Sequence, residues 1–76
     1  MKPFVSVIIP TFGGNPSLKN AIDSVLCQSY DNFEIIVVDD NDPKSKGRAV
    51  TENLMKKYEN EIQVMFWDVR QQRWVC

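Results

Sequence analysis

A chain of 76 residues is one small domain at most, and at that size only about 60% of the unfolded chain's surface can be buried on folding. Hydrophobic residues make up 43% and charged residues 25%, which is ordinary globular usage and argues against disorder. Nine Lys+Arg against ten Asp+Glu leave a net charge of -1, so the polybasic signature of nucleic-acid or anionic-lipid binding is missing. No apolar run approaches the roughly 20 residues of a membrane span. The stretch Phe4 to Ile9 before Pro10 is short for a signal h-region and lacks a small-residue cleavage site. A cytoplasmic chain is expected, with Cys27 and Cys76 as free thiols. The absence of His and of CxxC argues against a zinc site.

In chain order, Phe4-Val5-Ser6-Val7-Ile8-Ile9 reads as a strand buried on both faces, ended by Pro10. Thr11 to Asn15 is a Gly-containing turn. Asn15-Pro16 opens a helix over 16–28, with Asn as N-cap and Pro at the first helical position. Leu18, Ala21, Ile22, Val25 and Leu26 form its apolar stripe. Phe33 to Asp39 is a second buried strand. Residues 46–59 read as a second helix, with Val50, Leu54 and Tyr58 on its apolar face, and Ile62 to Trp67 as a third strand. Asp68 to Cys76 show no clear period. A β-α-β-α-β order is the crossover pattern of a parallel sheet, half of a doubly wound α/β fold. Such a half leaves open sheet edges that invite self-association.

Ligands of open α/β sheets bind beyond the carboxyl ends of the strands. Here that rule selects Pro10-Thr11-Phe12-Gly13-Gly14 after the first strand and Asp39-Asp40-Asn41-Asp42 after the second. One segment offers an aromatic ring and small-residue backbone, the other three carboxylates. Carboxylates there can accept N–H or O–H bonds from a base or ribose, or take a hard cation. Equally, Asp and Asn can simply punctuate a strand end, since they favour turns. A dinucleotide fingerprint needs GxGxxG, and only Gly13-Gly14 is present. A calcium loop starting at Asp40 would have Ser45 where Gly is needed and Thr51 where Glu is needed. A phosphoacceptor receiver domain would leave too few residues after its acidic pair.

Taken together, these segments resemble the N-terminal part of a family 2 glycosyltransferase of the GT-A fold. The resemblance runs through residues 4–42. It rests on Val5-Ser6-Val7-Ile8-Ile9-Pro10-Thr11-Phe12, on Leu18, Ala21-Ile22, Ser24-Val25-Leu26, Gln28-Ser29-Tyr30 and Asn32-Phe33-Glu34, and on Ile35-Ile36-Val37-Val38-Asp39-Asp40. It implies the parallel half of a Rossmann-like nucleotide-binding domain, a nucleotide-sugar donor (usually a UDP-sugar) and transfer to an acceptor hydroxyl. By the same resemblance Phe12 stacks near the base, Pro10 and Thr11 frame it with backbone, Asp40 accepts the imide N–H of uracil, and Asp39 supports the loop or the ribose. A divalent metal, Mn or Mg, is implied for the full-length enzyme, which would work near the inner face of a membrane. The family's metal-binding motif and general base lie further along than this chain reaches. No catalytic or metal-ligating residue is therefore assigned, and the 76 residues alone are expected to be inactive. The chain departs from the pattern at Gly13, at Asp42 and over residues 61–76. That last departure raises the expectation of a truncated reading frame, broken near residues 62–70. The alternative is a non-catalytic nucleotide-binding or partner-dependent module.

Overall fold

Residues 3–75 are described by a computed structural model. β1 (Val5–Thr11), β2 (Phe33–Asp39) and β3 (Val64–Asp68) are parallel neighbours, and β4 (Arg73–Trp74) adds antiparallel to β3. α1 (Ser17–Leu26) joins β1 to β2. α2 (Lys46–Met55), continued by a 3₁₀ turn at Lys56–Tyr58, joins β2 to β3. This is the β-α-β-α-β order expected from sequence, with a short hairpin added in the segment that showed no period.

Pro10 does not end β1; it pairs in register with Val38. The hydrogen bonds explain why. Val5 N–H donates to Asn32 O, and Thr11 O accepts from Asp40 N–H. Odd residues of β1 thus address β2, and Pro10, which lacks an N–H, faces the open edge where none is needed. Asn15 caps α1 as expected. Its Oδ1 accepts from Ser17 N–H at 3.0 Å, and its carbonyl accepts from Leu18 N–H. Pro16 already has helical dihedrals. At α2 the cap is Ser45, whose hydroxyl accepts from Arg48 N–H at 3.1 Å.

Register places Val7, Ile9 and Thr11, then Phe33, Ile35, Val37 and Asp39, then Val64, Phe66 and Asp68 on one sheet face. Two right-handed crossovers progressing in the same direction put both helices on that face. The core forms there, from Leu18 and Ile22 of α1, Met55 and Tyr58 of the second connection, and the inward strand residues. The expected burial on both faces is therefore not realised. Burial alternates along β2 and β3, and β1 keeps Ile8 exposed. Among the described residues no helix covers the opposite face, which carries Ile8, Ile36, Val38, Met65, Trp67 and Trp74. The two indoles meet edge to face, 4.9 Å between centroids.

The inward face of α2 also differs from the expectation. Arg48, Thr51 and Met55 are buried, while Val50 is exposed and Leu54 only partly buried. The third strand starts later than expected, leaving Ile62 in solvent. Of the two expected thiols, Cys27 is free and exposed, and Cys76 lies outside the described residues.

A polar clasp joins the two connections. Tyr58 donates its hydroxyl to Asp23 Oδ1 at 2.6 Å, and Lys19 reaches Asp23 Oδ2 at 3.0 Å. The Tyr58 hydroxyl and Lys19 pull the Asp23 carboxyl down to about 2 from 3.8. A folded-state pKa below the unfolded value stabilises above the unfolded value and is lost as acid approaches the folded one. Asp23 is thus expected to contribute stability above about pH 4 and to lose it between about pH 4 and 2. Carboxyl-carbon NMR titration checks this: the Asp23 midpoint should lie near 2, and Tyr58→Phe should move it towards 3.8.

Candidate nucleotide-binding edge

Three segments meet at the carboxyl ends of the strands: the Thr11–Asn15 turn, the Asp39–Ser45 loop and the turn between β3 and β4. The first two are stitched together. Asp40 N–H donates to Thr11 O at 3.1 Å, and Gly13 N–H donates to Asn41 Oδ1 at 2.6 Å. Gly13 and Gly14 both have positive φ, 75° and 68°, a conformation that side chains other than glycine's disfavour. The two segments expected to emerge side by side therefore do so.

Asn41 is the hub of the stitch and is 2% exposed. Besides accepting from Gly13, its side-chain amide donates to Asp39 Oδ1 and weakly to Thr51 Oγ1 at 3.4 Å. Its own N–H also donates to Asp39 Oδ1. This arrangement needs Gly47. A Cβ there would stand 2.7 Å from Asn41 Oδ1 and 3.0 Å from Gly13 Cα.

Beneath the hub lies a buried charge cluster. Arg48, 3% exposed, places Nη1 3.0 Å from Asp39 Oδ2 and 2.6 Å from Asp68 Oδ2, and its Nε reaches Glu52 at 2.8 Å. Its guanidinium also lies 5.6 Å from the centre of the Phe66 ring. Asp39 and Asp68 are register partners at the ends of β2 and β3, so one cation on α2 serves both strand ends. Burial opposes the charge on Arg48, but Asp68, Glu52 and Asp39 outweigh it and hold its pKa above the ordinary value. Burial likewise pushes the Asp68 carboxyl up. The N–H groups of Gln71 and Arg70 and the Arg48 guanidinium overcome this and hold it below the usual range.

The five residues singled out from sequence divide by exposure. Phe12 is 65% exposed, and the Asp40 side chain is 61% exposed with Arg70 Nε at 3.5 Å. Pro10 is exposed on the side away from the helices. Thr11 and Asp39 are buried. Asp39 spends both oxygens inside the protein, one on Asn41 and the other beside Arg48. Asp42 works locally: Oδ1 accepts from Lys44 N–H and its carbonyl accepts from Ser45. Sequence reasoning assigned no role to Asn41, Gly47, Arg48, Asp68 or Arg70. A usable signal for Arg48 was the need for a countercharge beneath a carboxylate at a strand end.

These residues do not fit a divalent metal. Among the described residues no group of three or more His, Cys, Asp or Glu is placed to hold a metal ion. Asp39 is neutralised by Arg48, and Asp40 faces Arg70. No helix of the described residues is long and apolar enough to cross a membrane.

A family profile described as Glycosyl transferase family 2 matches residues 6–73. The match extends past residue 42, where the quoted resemblance stopped, and through residues 62–70. An uncharacterised glycosyltransferase of Rickettsia felis is 45% identical over 60 residues, covering 79% of this chain and 10% of the relative. A GalNAc(5)-diNAcBac-PP-undecaprenol beta-1,3-glucosyltransferase of Campylobacter jejuni is 43% identical over 54 residues, 71% of this chain and 17% of the relative. Glycosyltransferase GlyG of Streptococcus pneumoniae is 29% identical over 65 residues, 86% of this chain and 21% of the relative. The chain thus spans between a tenth and about a fifth of the length of these curated relatives. No solved structure matches it.

Removing Arg48 strands two buried carboxylates, which typically costs about 3–5 kcal/mol. That is a large share of a small domain's total stability. Arg48→Met is expected to lower the urea midpoint steeply or abolish the folded state, and adding Asp39→Asn and Asp68→Asn to it should restore part of the loss. Equilibrium urea unfolding followed by tryptophan fluorescence measures both.

Proposed function

From the premise that the chain belongs to glycosyl transferase family 2, we propose that its loop edge binds the nucleotide of a nucleoside-diphosphate sugar, a UDP-sugar. In this reading Phe12 stacks on the base, Pro10 and Thr11 frame it with backbone, and Asp40 accepts the imide N–H of uracil. Asp39 acts through the loop, holding Asn41 and with it the Gly13 turn, rather than by touching ligand. The observation that carries the reading is the pairing of an exposed phenyl ring with an exposed carboxylate on two loops locked by Asp40–Thr11 and Gly13–Asn41 hydrogen bonds.

A protein of the relatives' length would transfer the sugar to an acceptor hydroxyl. There the acceptor oxygen would bond to the sugar as the nucleoside diphosphate leaves; residues other than these would take the hydroxyl proton and would hold the divalent metal implied by the family. The 76 residues are accordingly a donor-binding part that binds without turnover.

Calorimetric titration with UDP tests the site. Phe12→Ala and Asp40→Ala are each expected to weaken binding about tenfold, the loss of one stacking or charge-assisted contact worth about 1.4 kcal/mol. Equal affinity of both variants and the parent would refute the assignment. Sugar release from a UDP-sugar by the purified chain would refute the binding-only reading.

A second reading, association with a partner or a second copy, is favoured by the uncovered sheet face with Trp67 and Trp74 and by the open edge of β1. Light scattering over a concentration series checks it. A rising mass that Trp74→Gln suppresses supports self-association, and a constant monomer mass rules out the second copy.

A further inference from the structure

The turn between β3 and β4 places a cation on the carboxylate that the proposed nucleotide needs. The turn itself is anchored by hydrogen bonds to the strand ends and within itself. Val69 N–H donates to Asp39 O at 3.0 Å, Gln71 N–H donates to Asp68 Oδ1 at 2.9 Å, and Arg73 Nε donates to Gln71 Oε1 at 3.0 Å. Gln72 takes a positive φ of 52° to close the turn. Arg70 consequently projects from a segment pinned to the ends of β2 and β3, and its Nε lies 3.5 Å from Asp40 Oδ1.

Resting on the nucleotide-site reading above, we propose that Arg70 is an internal competitor for Asp40. In the free protein its guanidinium contacts Oδ1 of the carboxylate, and a base N–H directed to that oxygen displaces it. A neutral imide N–H can succeed because the pair it breaks is weak. Both side chains are about half exposed, and such pairs are worth about 0.2–1 kcal/mol. The contact then acts as a filter. It raises the threshold for ligands that offer Asp40 only one hydrogen bond and admits those that also stack on Phe12. It also keeps the carboxylate partly neutralised when no ligand is bound.

The competitor reading and a direct phosphate contact by Arg70 predict opposite signs, and a neutral nucleoside separates them. Uridine has no phosphate for Arg70 to hold. NMR titration of the 76-residue chain with uridine and with UDP, in the parent and in Arg70→Gln, is the test. Arg70→Gln is expected to bind uridine about two- to five-fold more tightly, the breaking of one exposed pair converted to affinity. Uridine affinity of the parent should rise with salt as the pair is screened, and that dependence should vanish in Arg70→Gln. In an Asp40→Ala background Arg70→Gln should have no effect on uridine.

Unchanged or weaker uridine binding in Arg70→Gln overturns the competitor role while leaving the nucleotide site standing. Loss of UDP affinity alone, with uridine unaltered, reassigns Arg70 to the phosphates and likewise overturns it. Failure of uridine and UDP to bind either protein refutes the nucleotide-site reading, and the competitor role falls with it.

Discussion

One guanidinium between two buried carboxylates sets the geometry of everything at the loop edge. Asp39 and Asp68 end adjacent strands with no exposure to water, and each would be intolerable alone in that position. Arg48 neutralises both from α2. The helix is thereby fixed in rotation and height against the sheet, and Gly47, one residue earlier, comes to rest against Asn41 and Gly13. A buried ion cluster of this kind adds little net stability relative to an apolar replacement. Its effect here is positional, because the same contacts that satisfy the charges align the two loops.

That alignment separates support from contact. Asp39, Asn41, Thr51 and Arg48 are buried and hydrogen-bonded or ion-paired among themselves. Asp40, between Asp39 and Asn41 in the chain, faces solvent, and so does Phe12, next to the buried Thr11. Adjacent aspartates thus have different work. Strand alternation sends Asp39 to the helix face and its neighbour outward, so an acidic pair at a strand end supplies one structural carboxylate and one available carboxylate. The third turn joins the same assembly through Val69 and Gln71, bringing Arg70 over the exposed member of the pair.

The sheet is finished on only one face. Both crossovers run the same way, so Leu18, Ile22, Met55 and Tyr58 pack on one side while Ile8, Trp67 and Trp74 look outward from the other. A family 2 glycosyltransferase relative many times longer has further chain to supply neighbours, and the likeness to such relatives covers this segment alone. The uncovered face is as apolar as the covered one because parallel strands are composed for burial on both sides.

Local and periodic features were legible in the sequence. Branched apolar runs marked β1, β2 and β3, the 3.6-residue stripe and Asn15-Pro16 marked α1, and the alternation of strands and helices implied a parallel sheet whose carboxyl ends gather Phe12 and Asp40. Each of these depends on residues near one another in the chain. Features that depend on a partner far away in sequence were not legible. Pro10 is tolerated inside β1 because β1 is an edge strand, and edge position is a property of the sheet order. The inward face of α2 holds Arg48 in place of Val50, because the carboxylates it must meet sit 9 and 20 residues away (Asp39 and Asp68) and outweigh a simple apolar stripe. The β4 hairpin is two residues long, turns through a non-glycine residue of positive φ and leaves no period to read. Sequence alone therefore determined the order of elements and the edge at which they end, since backbone propensity and hydrophobic period are local. Tertiary structure alone decided which charges are buried and which remain available, since desolvation and ion pairing exist only once the strands and helices have met.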